Sequence, residues 1–278
     1  MKTVARLAAL LLAFAAAPSF AAITCNVTVT AITTVYSPTV ATDNVTTGSY
    51  TISCTRLATD ANSLAWSLAA NNGLQAGGGN NRVNLAGNRY SYDIYLDPSH
   101  TTRWQGGNRF TGTLNFGASL TASVTGSFDL VVYGNQAVQP AGTYTDTVTV
   151  TLRNTANNNT LDTSPFTVSV ITTNSCQIYT PPGNIDLFYT SFQMSAATTN
   201  TSYGMRCTTA LPYTMALDAT SGTIVGLNYT LALSQASATG NGVIQTYSVN
   251  GSIAGGQSGT CSTASCSGSQ TRTLTITY

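Results

Sequence analysis

The six cysteines of this chain form pairs that repeat along the sequence: Cys25 with Cys54, Cys176 with Cys207, and the close pair Cys261 with Cys266. The residues around the second cysteine of each long pair recur too, with Ser49, Tyr50 and Thr55 answering Ser202, Tyr203 and Thr208. Tyr36 and Tyr189 lie at the same distance upstream of that cysteine in each copy. Self-similarity of this kind indicates a duplicated structural unit. We therefore predict two related modules, each with one internal disulfide.

The N-terminus has the features of a secretory signal. Lys2 and Arg6 precede an apolar run at 7–17, and small residues follow up to Ala21. The run is too short for a membrane span, and the small residues suit cleavage. We predict a signal peptide over residues 1–21 and export to the periplasm.

Export makes disulfides the expected state of the cysteines, because thiols are oxidised outside the cytoplasm. The single histidine, His100, also leaves few ligand sets for zinc. Connectivity cannot be deduced from sequence alone, so the pairing rests on the repeat. No metal and no cofactor are predicted.

Composition favours strands and excludes some partners. Only 7% of the residues are charged, glutamate is absent, and Lys2 is the only lysine. A surface of this kind without basic runs argues against nucleic acid and anionic membranes as partners. Glutamate and lysine favour helices, whereas Thr, Val, Ile and Tyr favour strands. The sequence therefore predicts an all-β protein.

The alternation of apolar and polar residues agrees with that class. Residues 147–152 and 273–278 alternate strictly, and each segment lies near the end of its module. Period two is typical of strands with one buried face. Short strands separated by Gly, Asn, Asp and Pro predict one β-sandwich per module.

Catalysis has little support in the sequence. Asp97 and His100 are close in sequence, but the histidine lies in a polar turn, and no G-x-S-x-G motif follows a strand. Asp93 and Asp97 would lie farther apart on a strand than glycosidase carboxylates normally do. We predict no catalytic residues and a protein that is not an enzyme.

Two segments of the first module resemble the spore coat U domain family. The first is YSYDIYLDPSHTTRW at 90–104, and the second is YG followed by PAGTYTDTVTV, at 133–134 and 140–150. Module two is similar to the family at 226–231 and 271–278, although residues 261–270 interrupt its final turn. The resemblance extends over nearly the whole mature chain.

This resemblance implies a role in pilus assembly. Domains of this family resemble subunits of archaic chaperone–usher pili, which are immunoglobulin-like sandwiches lacking one strand. A periplasmic chaperone fills the resulting groove first, and the N-terminal donor strand of the next subunit fills it after passage through an outer-membrane usher. The implied partners are therefore the chaperone, the usher, the adjacent pilin and a surface or host ligand.

The ends of the modules suggest a position at the pilus tip. Only residues 22–24 separate the expected cleavage site from Cys25, which is too short for a donor strand. We therefore expect a subunit that accepts a strand and donates none. The fold expected is two immunoglobulin-like sandwiches, the second lacking one strand that is supplied in trans. Its groove and final strand would contain Leu274, Ile276 and Tyr278.

Residues 164–172, before Cys176, alternate as a donor strand should. Phe166, Val168 and Val170 would complement module one in cis. The predicted organisation is a signal peptide at 1–21, an adhesive sandwich at 22–160, a linker or cis donor strand at 161–174, and a pilin-like sandwich at 175–278.

The resemblance to tip subunits of archaic pili implies binding through exposed loops at the far end of the first module, with the mature protein on the cell surface. The candidate loops are 73–87 and 106–120, with the apolar residues Leu74, Val83, Leu85, Phe110, Leu114 and Phe116. An alternative for the Phe110–Phe116 region is that its apolar residues belong to strands and face the core. The function expected is surface attachment and biofilm formation by a tip adhesin, and the alternative is a secreted coat protein or a carbohydrate-binding module.

Overall fold

The computed structural model describes residues 23–105 and 107–278. The predicted signal peptide lies outside the described residues. Within the described ranges every regular element is a strand, and there is no helix. No helix long and apolar enough to cross a bilayer was therefore found in this part of the chain. The prediction of an all-β protein is confirmed, and the strands form two groups that each surround a separate apolar core.

The first domain is built from one continuous curled sheet. Its strands are β1 (Thr24–Val29), β2 (Ile32–Val35), β3 (Asn44–Thr55), β4 (Ser63–Ala70), β5 (Asn81–Leu85), β6 (Asn88–Tyr95), β7 (Phe110–Asn115), β8 (Thr121–Val132), β9 (Gly142–Asn154) and β10 (Thr160–Thr172). The main order is β1-β3-β8-β6-β5-β9-β10-β2, and β4 joins β9 to β7. The sheet folds around an apolar core that contains both tryptophans, Trp66 and Trp104.

The second domain contains two separate sheets. Its strands are β11 (Cys176–Thr180), β12 (Ala197–Cys207), β13 (Pro212–Leu217), β14 (Ser221–Ile224), β15 (Leu227–Leu233), β16 (Ser237–Thr239), β17 (Ile244–Ile253) and β18 (Leu274–Thr277). One sheet has the order β11-β12-β17-β15-β14, and the other β16-β13-β18. The tyrosines Tyr203, Tyr213 and Tyr247 pack between them in a separate core.

Both domains repeat the same local details, which supports the duplication. The hairpin β5–β6 turns at Ala86 and Gly87 with positive φ, and β14–β15 turns at Val225 and Gly226 in the same way. A two-residue hairpin turn with positive φ at both positions is of type I′, which favours glycine at the second position. A connection of only three residues, 173–175, joins β10 to β11.

The structure contains all three expected cysteine pairs. Cys25–Cys54 joins β1 to β3, and Cys176–Cys207 joins β11 to β12. Each bridge therefore links the first strand of a domain to its neighbour in the same sheet. The third bridge, Cys261–Cys266, closes an exposed loop before β18.

Candidate functional site

The segment proposed as a cis donor strand is part of the first domain's sheet. β10 runs antiparallel to β9 on one side and parallel to β2 on the other. Phe166, Val168 and Val170 point inward and are buried, and the Phe166 ring packs 5.8 Å from that of Phe128. Most of the predicted linker at 161–174 is therefore strand, because its alternating apolar residues complete the core beside β9.

No strand among the described residues occupies, in the second domain, the position that β10 has in the first. By the repeat, residues 185–189 correspond to residues 32–36, which include β2. Ile185, Leu187 and Tyr189 contact the second core, and the residues between them are exposed, as in β2. In the described ranges, no backbone hydrogen bond joins residues 185–189 to another strand. The segment is placed like β2 but lacks the strand that would pair with it.

The final strand borders the same position from the other side. By the repeat, Leu274, Ile276 and Tyr278 correspond to Val148, Val150 and Leu152 of β9. The three β9 residues are fully buried, whereas Leu274 and Ile276 are half-buried and Tyr278 is 59% exposed. β18 pairs with β13 on one edge, and no described strand pairs with its other edge.

The second core is less completely buried than the first, as expected for a domain with unpaired strand edges. Within the part of the chain that the structure describes, the first core contains 28 buried residues with 8 partly buried apolar neighbours. The second core contains 11 buried residues with 12 partly buried neighbours. Complete interiors bury most of their apolar side chains. We call the position between residues 185–189 and β18, which a strand like β10 would fill, the strand slot.

Polar side chains interrupt the last strand at one end of this slot. Where β9 continues through Tyr144 and Asp146, the second domain has Gln270 and Arg272. Arg272 Nε donates to Tyr229 Oη at 2.9 Å, and Arg272 Nη2 donates to Ser221 O at 3.1 Å. These contacts tie residues 270–272 to the β14–β15 hairpin, so β18 begins only at Leu274.

At the end of the first domain far from the second, a buried arginine joins two loops. Arg56 follows β3 and donates from Nε to Ser119 O and from Nη2 to Gly117 O, each at 3.1 Å. Its Nη1 donates to Asp60 O at 3.1 Å. These bonds fix the loops 57–62 and 116–120, which expose Leu57 by 57% and Leu120 by 50%.

Most residues predicted for adhesive loops lie elsewhere. Val83, Leu114 and Phe116 are buried in the first core, and Leu85 and Phe110 are half-buried. Their prediction as exposed loop residues is wrong, because residues 81–85 and 110–115 form β5 and β7 and direct alternate side chains inward. The alternative that the Phe110–Phe116 region faces the core agrees with the structure. Sequence reasoning missed Leu57 and named Leu120 only as the end of a loop.

Leu74 is the exception, with 73% of its surface exposed. Its loop is anchored by the buried Asp146 carboxylate, which accepts hydrogen bonds from Leu74 N at 2.9 Å and from Tyr92 Oη at 2.8 Å. Burial raises the pKa of Asp146, and these donors oppose the shift. Because Asp146 lies near the start of β9, Leu74 is on the side of the domain rather than at its far end.

Each of the titratable residues considered for catalysis interacts with a different set of neighbours. His100 Nε2 lies 3.0 Å from Asp129 Oδ2, while Asp97 accepts hydrogen bonds from Thr101 and Thr102 that lower its pKa. Asp93 is buried and pairs with Arg103 Nη2 at 2.9 Å, and burial raises its pKa. Among the described residues, no group of three His, Cys, Asp or Glu side chains could hold a metal.

Comparison with solved structures found distant matches. A chain of the CsuC–CsuE chaperone–tip adhesion subunit pre-assembly complex, from archaic chaperone–usher Csu pili of Acinetobacter baumannii, is 16% identical. The match covers 91% of this chain and 99% of that chain, with a TM-score of 0.47. The CupB6 tip adhesin from Pseudomonas aeruginosa is 10% identical over 86% of this chain and 90% of that chain, with a TM-score of 0.39.

A search of curated proteins found no significant match. The model of the family described as Spore Coat Protein U domain matches residues 11–151, which is about half of the chain. This match includes the first domain up to β9 and ends before β10. The chain therefore belongs to the Spore Coat Protein U domain family.

Proposed function

We propose that this protein is the tip subunit of an archaic chaperone–usher pilus and that it accepts a donor strand into its second domain. The observation that carries the proposal is the difference between the two domains. β10 fills one position in the first domain, and the equivalent strand slot in the second domain has unpaired edges and half-buried apolar side chains. A strand from another protein would pair with the open edges and cover the half-buried apolar side chains.

The use of β10 within the chain supports the tip position. A segment that precedes the second domain could serve as a donor, but β10 completes the domain that comes before it in the same chain. In the first domain β10 therefore fills the position that is open in the second, and the strand slot is the acceptor site that we propose for the described part of the chain. In the proposed pathway, a periplasmic chaperone fills this site until the usher exchanges it for the next subunit's donor strand. This role involves no catalysis and no cofactor.

The adhesive surface is proposed at the loops 57–62 and 116–120. They lie at the end of the first domain farthest from the strand slot, where a tip subunit would meet its target. Leu57 and Leu120 are exposed there, and Arg56 holds both loops in place. Exposed apolar side chains on a fixed support favour contact with an apolar surface. We propose attachment to such surfaces, and thereby biofilm formation, as the function of the first domain.

The strand slot can be tested by hydrogen–deuterium exchange on the mature chain. Without a ligand, residues 185–189 and 274–278 are expected to exchange much faster than the equivalent residues 32–36 and 148–152. The first segment pairs with no described strand, and β18 in the second pairs, among the described strands, with β13 only. A synthetic peptide with the sequence of residues 160–172 is expected to slow exchange at both slot edges.

The matched control peptide contains Asp at the positions of Val168 and Val170, so it offers the same backbone without the apolar side chains. Equal protection by both peptides, or strong protection of the free chain, would contradict an open slot. A stable monomer with no affinity for the peptide would favour the carbohydrate-binding alternative.

The adhesive end can be tested with a double variant, Leu57→Ser with Leu120→Ser. Fully burying a leucine contributes about 1.5–3 kcal/mol, and 1.4 kcal/mol corresponds to about tenfold in affinity. We expect roughly hundredfold weaker adsorption of purified protein to polystyrene beads. Leu74→Ser is the control, because Leu74 is more exposed than either leucine but lies on the side of the domain. A larger loss in the control would place the contact surface at Leu74.

A further inference from the structure

Two large apolar side chains protrude from the end of the second domain that lies farthest from the first. Met194 is 98% exposed and Phe192 is 70% exposed. Large exposed apolar side chains placed close together often mark interaction sites. We call this pair the base patch.

The loop that presents the base patch is held in place. Phe192 N donates to Gln257 O and Gly256 N donates to Gln193 O, each at 2.7 Å. Phe192 itself has a positive φ of 60°, an unfavourable conformation for a bulky residue. The surrounding bonds fix this conformation, so the outward direction of the two side chains is built into the loop.

The strand register defines the position of the patch. β12 begins at Ala197 opposite Ile253, just after Met194, and its other end pairs Arg206 with Ile244. That other end contacts the first domain, since Thr209 Oγ1 donates to Val138 O at 2.5 Å. Strands rise about 3.3 Å per residue, so the base patch lies roughly 35 Å from the contact between the domains.

The end of the first domain that is equivalent to the base-patch end of the second domain is covered by the contact between the two domains. In the first domain, Gly134 lies against the Ala41 carbonyl, and in the second, Gly255 lies in the same way against the Met194 carbonyl. The residues after Gly134 dock on the second domain, where Val138 is buried. The equivalent end of the second domain has a methionine where the first has Ala41, and this methionine is exposed.

A donor strand in the slot would run toward the end of the second domain that presents the base patch. β10 runs antiparallel to β9 and finishes at Thr172 opposite Gly142, where the second domain follows. A donor strand placed in the same way would run antiparallel to β18 and leave the slot beside Leu274. Leu274 lies toward the base patch, because it pairs with Leu217 rather than with the end of β13 that lies near the first domain.

We propose that the base patch docks the globular domain of the protein whose donor strand fills the slot. This inference rests on the proposed function and adds a second contact to it. Within the chain, the 173–175 linker holds the two domains together covalently. Between chains no such linker exists, and the two large apolar side chains would contribute the additional contact area.

Photo-crosslinking in cells that assemble the fibre tests this inference. p-Benzoyl-phenylalanine replaces Met194 in the base patch, Tyr278 in the slot or Leu57 at the far end, one position at a time in the full chain. Fibres are sheared from the cell surface after irradiation, which leaves periplasmic complexes behind. We expect the probes at Met194 and Tyr278 to capture the same protein, and the probe at Leu57 not to capture it.

The outcomes separate the inference from the proposed function. If Tyr278 captures a partner and Met194 captures none or a different protein, the docking surface is refuted while the slot stands. If Tyr278 captures nothing, both fail. As a second measurement, the Phe192→Ser and Met194→Ser double variant should leave binding of the 160–172 peptide unchanged. The same double variant should also release the subunit whose donor strand fills the slot about tenfold faster than the parent chain does. An unchanged release rate would overturn the inference.

Discussion

Replacing Val168 by aspartate is expected to unfold the first domain. Val168 is fully buried between β9 and β2 and lies in register with the buried Asp146, so a new carboxylate there would be removed from water beside another carboxyl group. The lost apolar burial and the uncompensated charge together cost several kcal/mol, against a total stability of about 5–15 kcal/mol for a small domain. Both tryptophans lie in this core, so their fluorescence should shift to the red and report this domain specifically.

The control for this variant is Thr167→Asp on the same strand. Thr167 is exposed, and its substitution keeps the charge and the strand position while leaving the core intact. We expect a native emission spectrum and a urea midpoint close to that of the parent chain. A Val168→Asp protein with the same midpoint as the Thr167→Asp protein would show that β10 does not complete the first domain.

Removing the Cys176–Cys207 bridge is expected to destabilise the second domain strongly. The bridge joins residues 31 positions apart, for which loop entropy predicts about 3–4 kcal/mol. The second domain has the smaller buried core and an open slot, so this loss represents a large part of its stability. In the double variant Cys176→Ala with Cys207→Ala, the second domain should already be unfolded at physiological temperature. Its unfolding transition should therefore be missing above that temperature in calorimetry.

The pair Cys261→Ala and Cys266→Ala provides the matched comparison. That bridge joins residues 5 positions apart in an exposed loop, for which the same relation gives at most about 2 kcal/mol. The first-domain tryptophan signal should be unchanged in both double variants. Equal destabilisation by the two pairs would contradict the assignment of Cys176–Cys207 as the main covalent support of the second domain.

Features that depend on local pattern could be predicted from the sequence. The alternation in residues 164–172 predicts a strand with Phe166, Val168 and Val170 inward, and the structure has these residues buried in β10. The repeat of the cysteines predicts two domains of one kind. Both features depend on spacing along the chain, which the sequence displays directly.

The exposed residues could not be predicted in the same way. The sequence predicts loops at 73–87 and 106–120, yet Val83 and Leu114 lie in short strands. Each of these strands pairs with a strand distant in sequence, β5 with β9 and β7 with β4. Leu57 and Leu120 are exposed on two separate loops whose carbonyls accept hydrogen bonds from Arg56. Such a contact is set by the register of β3 against β8, which local composition does not determine.

The long pairing of β10 with β9 also determines how the first domain would bear a mechanical load. A pull between the far loops and Cys176 would act on β10 along its own axis, because β10 leads directly into the three-residue connection. The ladder to β9, which extends from Thr160 to Thr172, would then be sheared, so that its hydrogen bonds share the force rather than break one after another. In the proposed role at a pilus tip, this arrangement would let the first domain hold tension between a surface and a fibre.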